Sequence, residues 1–220
     1  MKKKKKRKQD FIPALRFKWL TDIFDPFIQW TMPEKRMRST LKIALSPREN
    51  DKVLDFGCGT GTMLVLLKEQ FPQIQAEGID IDVKVLAIAE EKARKYGVEI
   101  DLRNYDGQHL PYPDNAFDKV LSSLVFHHLK REQKLSALKE IYRVLKNGGE
   151  LHIMDFGKVS NKLLKVLFFP WQALDGIANT KDNVQGNIPE FMKQIGFQDV
   201  IESERIFSIF GIISFYKGIK

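Results

Sequence analysis

Between residues 51 and 156 the chain alternates short apolar runs with longer stretches whose apolar positions recur every three to four residues. "DKVLDF" reads as a strand, and "GTMLVLLKEQF" after it as a helix closed by Pro72. "IQAEGID" is a second strand. The helix that follows, "VKVLAIAEEKARKYG", is apolar at Val85, Leu86, Ile88 and Ala89 and ends at Gly97. "VEIDLRN" and "AFDKVLSS" predict the third and fourth strands. "REQKLSALKEIYRVLKNGG" sets Leu135, Leu138, Tyr142 and Leu145 on one helical face, with a stop at Asn147 and Gly148, before "ELHIMDF" as the fifth strand.

Strand and helix in alternation imply right-handed crossovers and a parallel sheet covered on both faces. After residue 156 the pattern changes. "IPEFMKQIGF" predicts a short helix with Pro189 in its first turn, and "QDVIESERIF" and "SIFGIISFYKGIK" predict two strands close enough to form a hairpin. The expectation is an α/β fold: a doubly wound, mostly parallel seven-stranded sheet with an antiparallel C-terminal hairpin. Ligands of such sheets bind beyond the carboxyl ends of the strands, near the point where strand order reverses.

Composition adds bounds to this picture. A chain of 220 residues, 43% hydrophobic, buries one good core. Its single cysteine, Cys58, excludes an intramolecular disulfide and favours a reducing compartment. No uncharged apolar run of about 18 residues is present, so no transmembrane helix is expected. "MKKKKKRK" resembles the basic start of a signal peptide, but the following "QDFIPALRFKWLTDIFD" is charged every few residues and lacks the apolar core. The expected location is cytoplasmic. The net charge of +8 belongs to the tail, since Lys2 to Lys8 hold seven of the 36 basic residues and leave 29 against 28 acids. Such a run is expected to be disordered and to meet an anionic membrane surface transiently, or to serve as a solvated tail. Nucleic acid is the less favoured partner.

"VLDFGCGTGT", Val53 to Thr62, places three glycines within five residues directly after an apolar strand. Glycine inside an element costs up to about 1 kcal/mol relative to alanine, so their presence requires positive φ angles or a ligand against the main chain. Tight strand-to-helix turns also use glycine, and the spacing alone is a weak signal. The acids at the next strand ends sharpen it: Asp80 lies about 20 residues on, where a carboxylate can accept from both ribose hydroxyls, and Asp106 follows the third strand.

With these motifs in order, the chain resembles the class I S-adenosylmethionine-dependent methyltransferases, and within them the ubiquinone and menaquinone C-methyltransferase group. The resemblance rests on "VLDFGCGTGT", "EGIDID", "NYDGQHLPYPDNAFDKVLSSLVFHHL" and "EIYRVLKNGGELHIMDF", covering about residues 50 to 156. A dinucleotide dehydrogenase would carry G-x-G-x-x-G instead. The resemblance implies S-adenosyl-L-methionine as cofactor. Asp55, Gly57, Cys58 and Gly59 would line its methionine part, and Asp80 would hold the ribose. Ile81 would pack on the adenine, Asp106 and Gly107 would meet its amino edge, and Ser123 would face the methyl group. No metal enters this expectation.

Methyl transfer from a sulfonium asks mainly for alignment in a dry site, and for a base only where the acceptor loses a proton. His127 and His128, just past the fourth strand, are the candidates; the alternative is a packed or capping pair. The expected organisation is a basic tail (1–10), a helical lead-in or substrate cap (11–48) and a methyltransferase domain (49–220) with a lid-like insertion at 157–188. The lead-in carries Phe11, Phe17, Trp19, Phe24, Phe27 and Trp30, and the insertion Phe168, Phe169 and Trp171. Two aromatic segments outside the cofactor half favour a small apolar or lipid-like, quinol-type acceptor. The alternatives are an RNA or protein methyltransferase that uses the basic tail, and a non-catalytic cofactor-binding module.

Overall fold

The computed structural model describes residues 33–160, 176–208 and 211–220. The lysine tail, the aromatic part of the lead-in and residues 161–175 of the expected lid lie outside the described residues. Among the described residues, no helix is long and apolar enough to cross a membrane.

One seven-stranded sheet carries the fold, built from β1 (Lys52–Phe56), β2 (Gln75–Asp80), β3 (Asp101–Asn104), β4 (Phe117–Ser123), β5 (Leu145–Phe156), β6 (Gln198–Ser208) and β7 (Gly211–Ile219). Their order is β3-β2-β1-β4-β5-β7-β6. The five strands from β3 to β5 run parallel, whereas β7 is antiparallel to both β5 and β6. The expected mostly parallel sheet with an antiparallel hairpin is therefore observed. Strand order reverses between β1 and β4.

Among the described residues six helices cover it: α1 (Glu34–Leu45), α2 (Thr62–Gln70), α3 (Val83–Tyr96), α4 (Arg131–Val144), α5 (Ile177–Gln185) and α6 (Ile188–Ile195). One face packs Met37, Leu41 and Leu45 of α1 with Met63, Leu64 and Leu67 of α2 against Leu121, Met154, Ile213 and Phe215 of the sheet. The opposite face packs Leu138, Ile141 and Val144 of α4 and Ile188, Phe191 and Met192 of α6 against Val120, Leu151 and Ile153. The spacing of four between Met37, Leu41 and Leu45 makes α1 a part of this core. Burying each such side chain contributes about 1.5–3 kcal/mol.

Two elements depart from the periodic reading. Helix α4 ends at Val144, and "LKNGG" belongs to a strand that starts at Leu145. Pairing explains it: Leu145 lies opposite Phe117, and Gly148 and Gly149 exchange backbone hydrogen bonds with Lys220. Tertiary hydrogen bonds here outweigh the local helix stop. Helix α5 lies where an irregular connection is expected, because the positions it buries are polar: Asn179, Thr180, Asp182 and Asn183. Such a helix has no apolar stripe to read.

Candidate functional site

The carboxyl ends of β1, β2 and β4 meet around a cavity of about 420 Å³. Strand β1 delivers Asp55 there, 1% exposed, with its Oδ1 lacking a hydrogen-bond partner among the described residues. Burial, then the charge of Asp80, push its carboxyl up to about 8, while Arg38 pulls it down. A buried acid of this kind is a receptor for a cation.

The three glycines do different work. The N–H groups of Gly57 and Cys58 both donate to Ile79 O, at 2.8 and 3.0 Å, which knits the loop to β2. Gly57 has φ +74° and a Cβ on it would stand 2.5 Å from Val125 Cγ2, so its bareness serves packing. Gly59 has φ +52° with nothing within 4 Å of the Cβ position, and it lines the cavity. Its bareness opens space for a ligand. Gly61 starts α2, and Lys92 steadies the intervening turn by donating to the hydroxyls of Thr60 and Thr62 at 3.0 and 2.6 Å.

Asp80 lines the same cavity and accepts from Gly59 N–H (2.9 Å) and Asp82 N–H (3.0 Å), so it shapes the glycine loop as well as facing the ligand space. Ile81 and Ser123 line the cavity too, as does Cys58, whose thiol is pushed up by burial, Asp55 and Asp80 and stays protonated. Asp106 sits elsewhere. Its carboxylate faces solvent and accepts from Gln108 N–H (2.8 Å) and His109 N–H (3.2 Å), which hold it below the usual carboxylate range. Neither Asp106 nor Gly107 is on the cavity wall, although Gly107 lies 3.6 Å (Cβ position) from Ile81 Cγ2. Tyr105, beside them, does line the cavity. Leu124, next after Ser123, has φ +58°, a left-handed conformation that costs a side-chain-bearing residue about 1–2 kcal/mol. Its N–H donates to Met154 O at 2.8 Å, and β5 thereby pins the strained turn.

The two histidines separate into different environments on a short 3₁₀ turn, Phe126–His128. His127 is buried, with Nδ1 2.8 Å from Asp155 Oδ1 and its backbone N–H donating to Asp155 Oδ2 at 3.3 Å. Asp155 also accepts from Phe156 N–H (2.7 Å) and Asn183 Nδ2 (3.2 Å). Burial pushes the Asp155 carboxyl up, but His127 and the Phe156 N–H more than offset it, and the group stays below its usual range. His128 lines the cavity, its ring centroid 3.9 Å from that of His127. Desolvation, His127 and Lys134 push it down to about 4, so it is neutral near pH 7.

Sequence reasoning passed over several polar residues gathered at this end. Lys134 is fully buried, its Nζ donating to Leu129 O (2.7 Å) and Asn179 O (2.5 Å); Leu129 and Asn179 both face the cavity. Arg131 pairs with Asp182 of α5. These contacts fasten α5 against α4 as one wall of the cavity.

Residues 53–149 match the family described as Methyltransferase domain. A demethylmenaquinone methyltransferase of Thermus thermophilus is 33% identical over 135 residues, 61% of this chain and 60% of that protein. A ubiquinone/menaquinone biosynthesis C-methyltransferase, UbiE, of Chromobacterium violaceum is 30% identical over 192 residues, 79% of this chain and 76% of that protein. A crystal structure of a SAM dependent methyltransferase from Aquifex aeolicus superposes with a TM-score of 0.64 at 20% identity, covering 89% and 98% of the two chains. The chain belongs to the class I S-adenosylmethionine-dependent methyltransferases and is related to UbiE. For three of the curated relatives the matched stretch spans 50% to 60% of their length.

S-adenosylmethionine is the cofactor of this family, and the residues present fit it. Asp55 offers an orphaned buried carboxylate oxygen to an ammonium group, and Gly59 leaves open the space that a side chain would fill. Asp80 presents a carboxylate on the cavity wall for hydroxyls.

Proposed function

We propose that this chain is a methyltransferase acting on a small ring-bearing acceptor of quinol type. The observation that carries the reading is the pairing, on one cavity wall, of the orphaned Asp55 carboxylate with the neutral His128 ring. The first suits the cofactor and the second suits an acceptor that must lose a proton. The relatives' names, demethylmenaquinone methyltransferase and ubiquinone/menaquinone biosynthesis C-methyltransferase, supply the acceptor class.

When bound, the sulfonium supplies a methyl group, whose bond to sulfur breaks with the electron pair left on sulfur. The residues of the chain then have three tasks. Asp55, the glycine loop and Asp80 hold the donor at the ends of β1 and β2. Phe56, Tyr105, Val125 and Leu129 give the cavity apolar walls, which exclude water and suit a ring. His128 takes the acceptor's proton as its new bond to carbon or oxygen forms, and His127 is the positioning residue beneath it, fixed by Asp155. A base matched to the working pH is worth about 10²- to 10⁴-fold in rate, and His128, pushed down to about 4, belongs at the low end of that range.

The test is turnover. Parent chain with S-adenosylmethionine and a short-chain demethylmenaquinol should give the methylated quinol by mass spectrometry. His128→Ala should lower kcat by about 10²-fold while S-adenosylhomocysteine affinity stays parental. A chain that leaves quinols untouched and methylates RNA or protein instead would overturn the acceptor class.

A further inference from the structure

The end of the cavity that carries His128 is walled by the 3₁₀ turn, the start of α4 and the start of α5. Helix α5 lies beyond residues 53–149, the stretch matched by the family, and packs against the 3₁₀ turn. It buries four polar residues, Asn179, Thr180, Asp182 and Asn183. Three of them spend their side chains on the fold. Thr180 Oγ1 donates to Gly176 O (3.4 Å), Asp182 accepts from Arg131 and from Asn187 Nδ2 (3.0 Å), and Asn183 Nδ2 donates to Asp155 Oδ1 (3.2 Å).

Asn179 is different. Its backbone is engaged, the N–H donating to Gly176 O at 3.0 Å and the C=O accepting from Lys134 Nζ at 2.5 Å. The residue is 7% exposed and lines the cavity, yet its side-chain amide makes no hydrogen bond among the described residues. A buried amide without a partner costs the folded state, and a ligand that pairs with it recovers that cost. Lys134 fixes its place. The same Nζ donates to Leu129 O at 2.7 Å, which ties Asn179 to the residue next after His128. The other polar side chains at this end, Lys130 and Gln133, are exposed, and Gln133 Oε1 already accepts from Lys130 N–H (2.9 Å).

We propose that Asn179 is a specificity residue for the methyl acceptor, its amide pairing with a ring oxygen distinct from the hydroxyl that His128 serves. The proposal rests on the quinol reading above and narrows it to rings that carry two oxygens. An amide both donates and accepts, so it suits a hydroxyl or a carbonyl. A ring with one oxygen leaves the amide unpaired in the complex and is discriminated against. Lys134 is the positioning residue behind it.

The test is the affinity of 1,4-dihydroxynaphthalene and of 1-naphthol for the full chain saturated with S-adenosylhomocysteine, measured anaerobically by calorimetry. The parent should prefer the dihydroxy compound by about 10-fold, the worth of one hydrogen bond. Asn179→Leu, close in shape, should bring the dihydroxy compound down to the affinity of 1-naphthol and leave 1-naphthol unchanged. Asn179→Ser, which keeps a donor and an acceptor, should fall between. Both variants should bind S-adenosylhomocysteine as the parent does. The ligand-free Tm of Asn179→Leu should equal or exceed the parent's, because an unpaired buried amide has been removed; an amide that served the fold would give a fall. Parental preference in Asn179→Leu, equal losses for both compounds, or a lowered ligand-free Tm would overturn the role of Asn179 and leave the quinol reading standing. A parent chain that binds neither compound would sink the quinol reading itself, and the proposal with it.

Discussion

Gly57 and Gly59 share a left-handed backbone and differ in what a methyl group would meet, which makes alanine at each position a paired test of the cavity. At Gly59, φ +52°, nothing lies within 4 Å of the Cβ position. Gly59→Ala should therefore cost only the backbone penalty, about 1 kcal/mol. For a domain of this size that lowers Tm by about 2–4 °C. At Gly57, φ +74°, the Cβ would stand 2.5 Å from Val125 Cγ2 and 3.1 Å from Cγ1. Gly57→Ala adds overpacking of about 1–3 kcal/mol to the same backbone penalty, for a fall of about 5–15 °C. Ligand reverses the ranking. S-adenosylhomocysteine at about 100 times its Kd stabilises the parent by about 2.7 kcal/mol, or about 5–10 °C. Gly59→Ala should lose most of that rise because its methyl occupies the ligand's space. Scanning fluorimetry with and without ligand reads both quantities. The reasoning fails if Gly59→Ala keeps the full ligand-induced rise, or if the two variants are equally destabilised without ligand.

Further outcomes follow for three acids at the carboxyl ends of the strands, Asp80, Asp55 and Asp155. Asp80→Ala should weaken S-adenosylhomocysteine by about 1–3 kcal/mol in calorimetry and also lower the ligand-free Tm, because Gly59 N–H and Asp82 N–H lose their acceptor. Asp55, pushed up to about 8 by burial and by Asp80, is neutral in the free protein at pH 7. Its contribution to stability is full below the unfolded carboxylate value and is lost as pH rises through about 8, so ligand-free Asp55→Asn should show a flatter stability profile there. An ammonium bound beside Asp55 favours its charged form, and titrations at pH 7 in buffers of different ionisation enthalpy should show proton release; none would refute the pairing. Asp155→Asn breaks the buried pair with His127 and should cost about 3–5 kcal/mol in urea unfolding. The Asp155 carboxyl lies below its usual range, so the parent's advantage over the variant should hold above the unfolded carboxylate value and shrink as pH falls through the native one.

Legibility in the sequence followed the physical origin of each feature. Strands such as Lys52–Phe56 and helices such as Val83–Tyr96 bury apolar positions at regular spacing, and the period shows. Glycines at positive φ and acids at strand ends are local demands of one turn, so Gly57, Gly59 and Asp80 were also readable. Asp155, Lys134 and Asn179 were not, since each owes its place to a partner 28 to 45 residues away in the chain. A polar residue buried by a distant partner carries no periodic mark. Arg38 was hidden differently: in "EKRMRSTLKIAL" it is one of four basic residues, and only the packing of α1 turns it to the cavity. Asp106 shows the converse, a motif position whose carboxylate the structure commits to its own turn.

The place of β7 between β5 and β6 governs how the protein comes into being on the ribosome. Every parallel strand pair lies within residues 52–156, so that part of the sheet can form before the C-terminal hairpin is made. Strand β6 has no partner in that sheet until Gly211–Ile219 has been synthesised and slotted in beside β5, across a separation of about 60 residues. Until then the β5 edge and the apolar side chains that Ile212, Ile213 and Phe215 will cover stay exposed, a template for mispairing with another nascent chain. Lesions near the C-terminal end should therefore register first as lost soluble yield, and only among the survivors as lost binding.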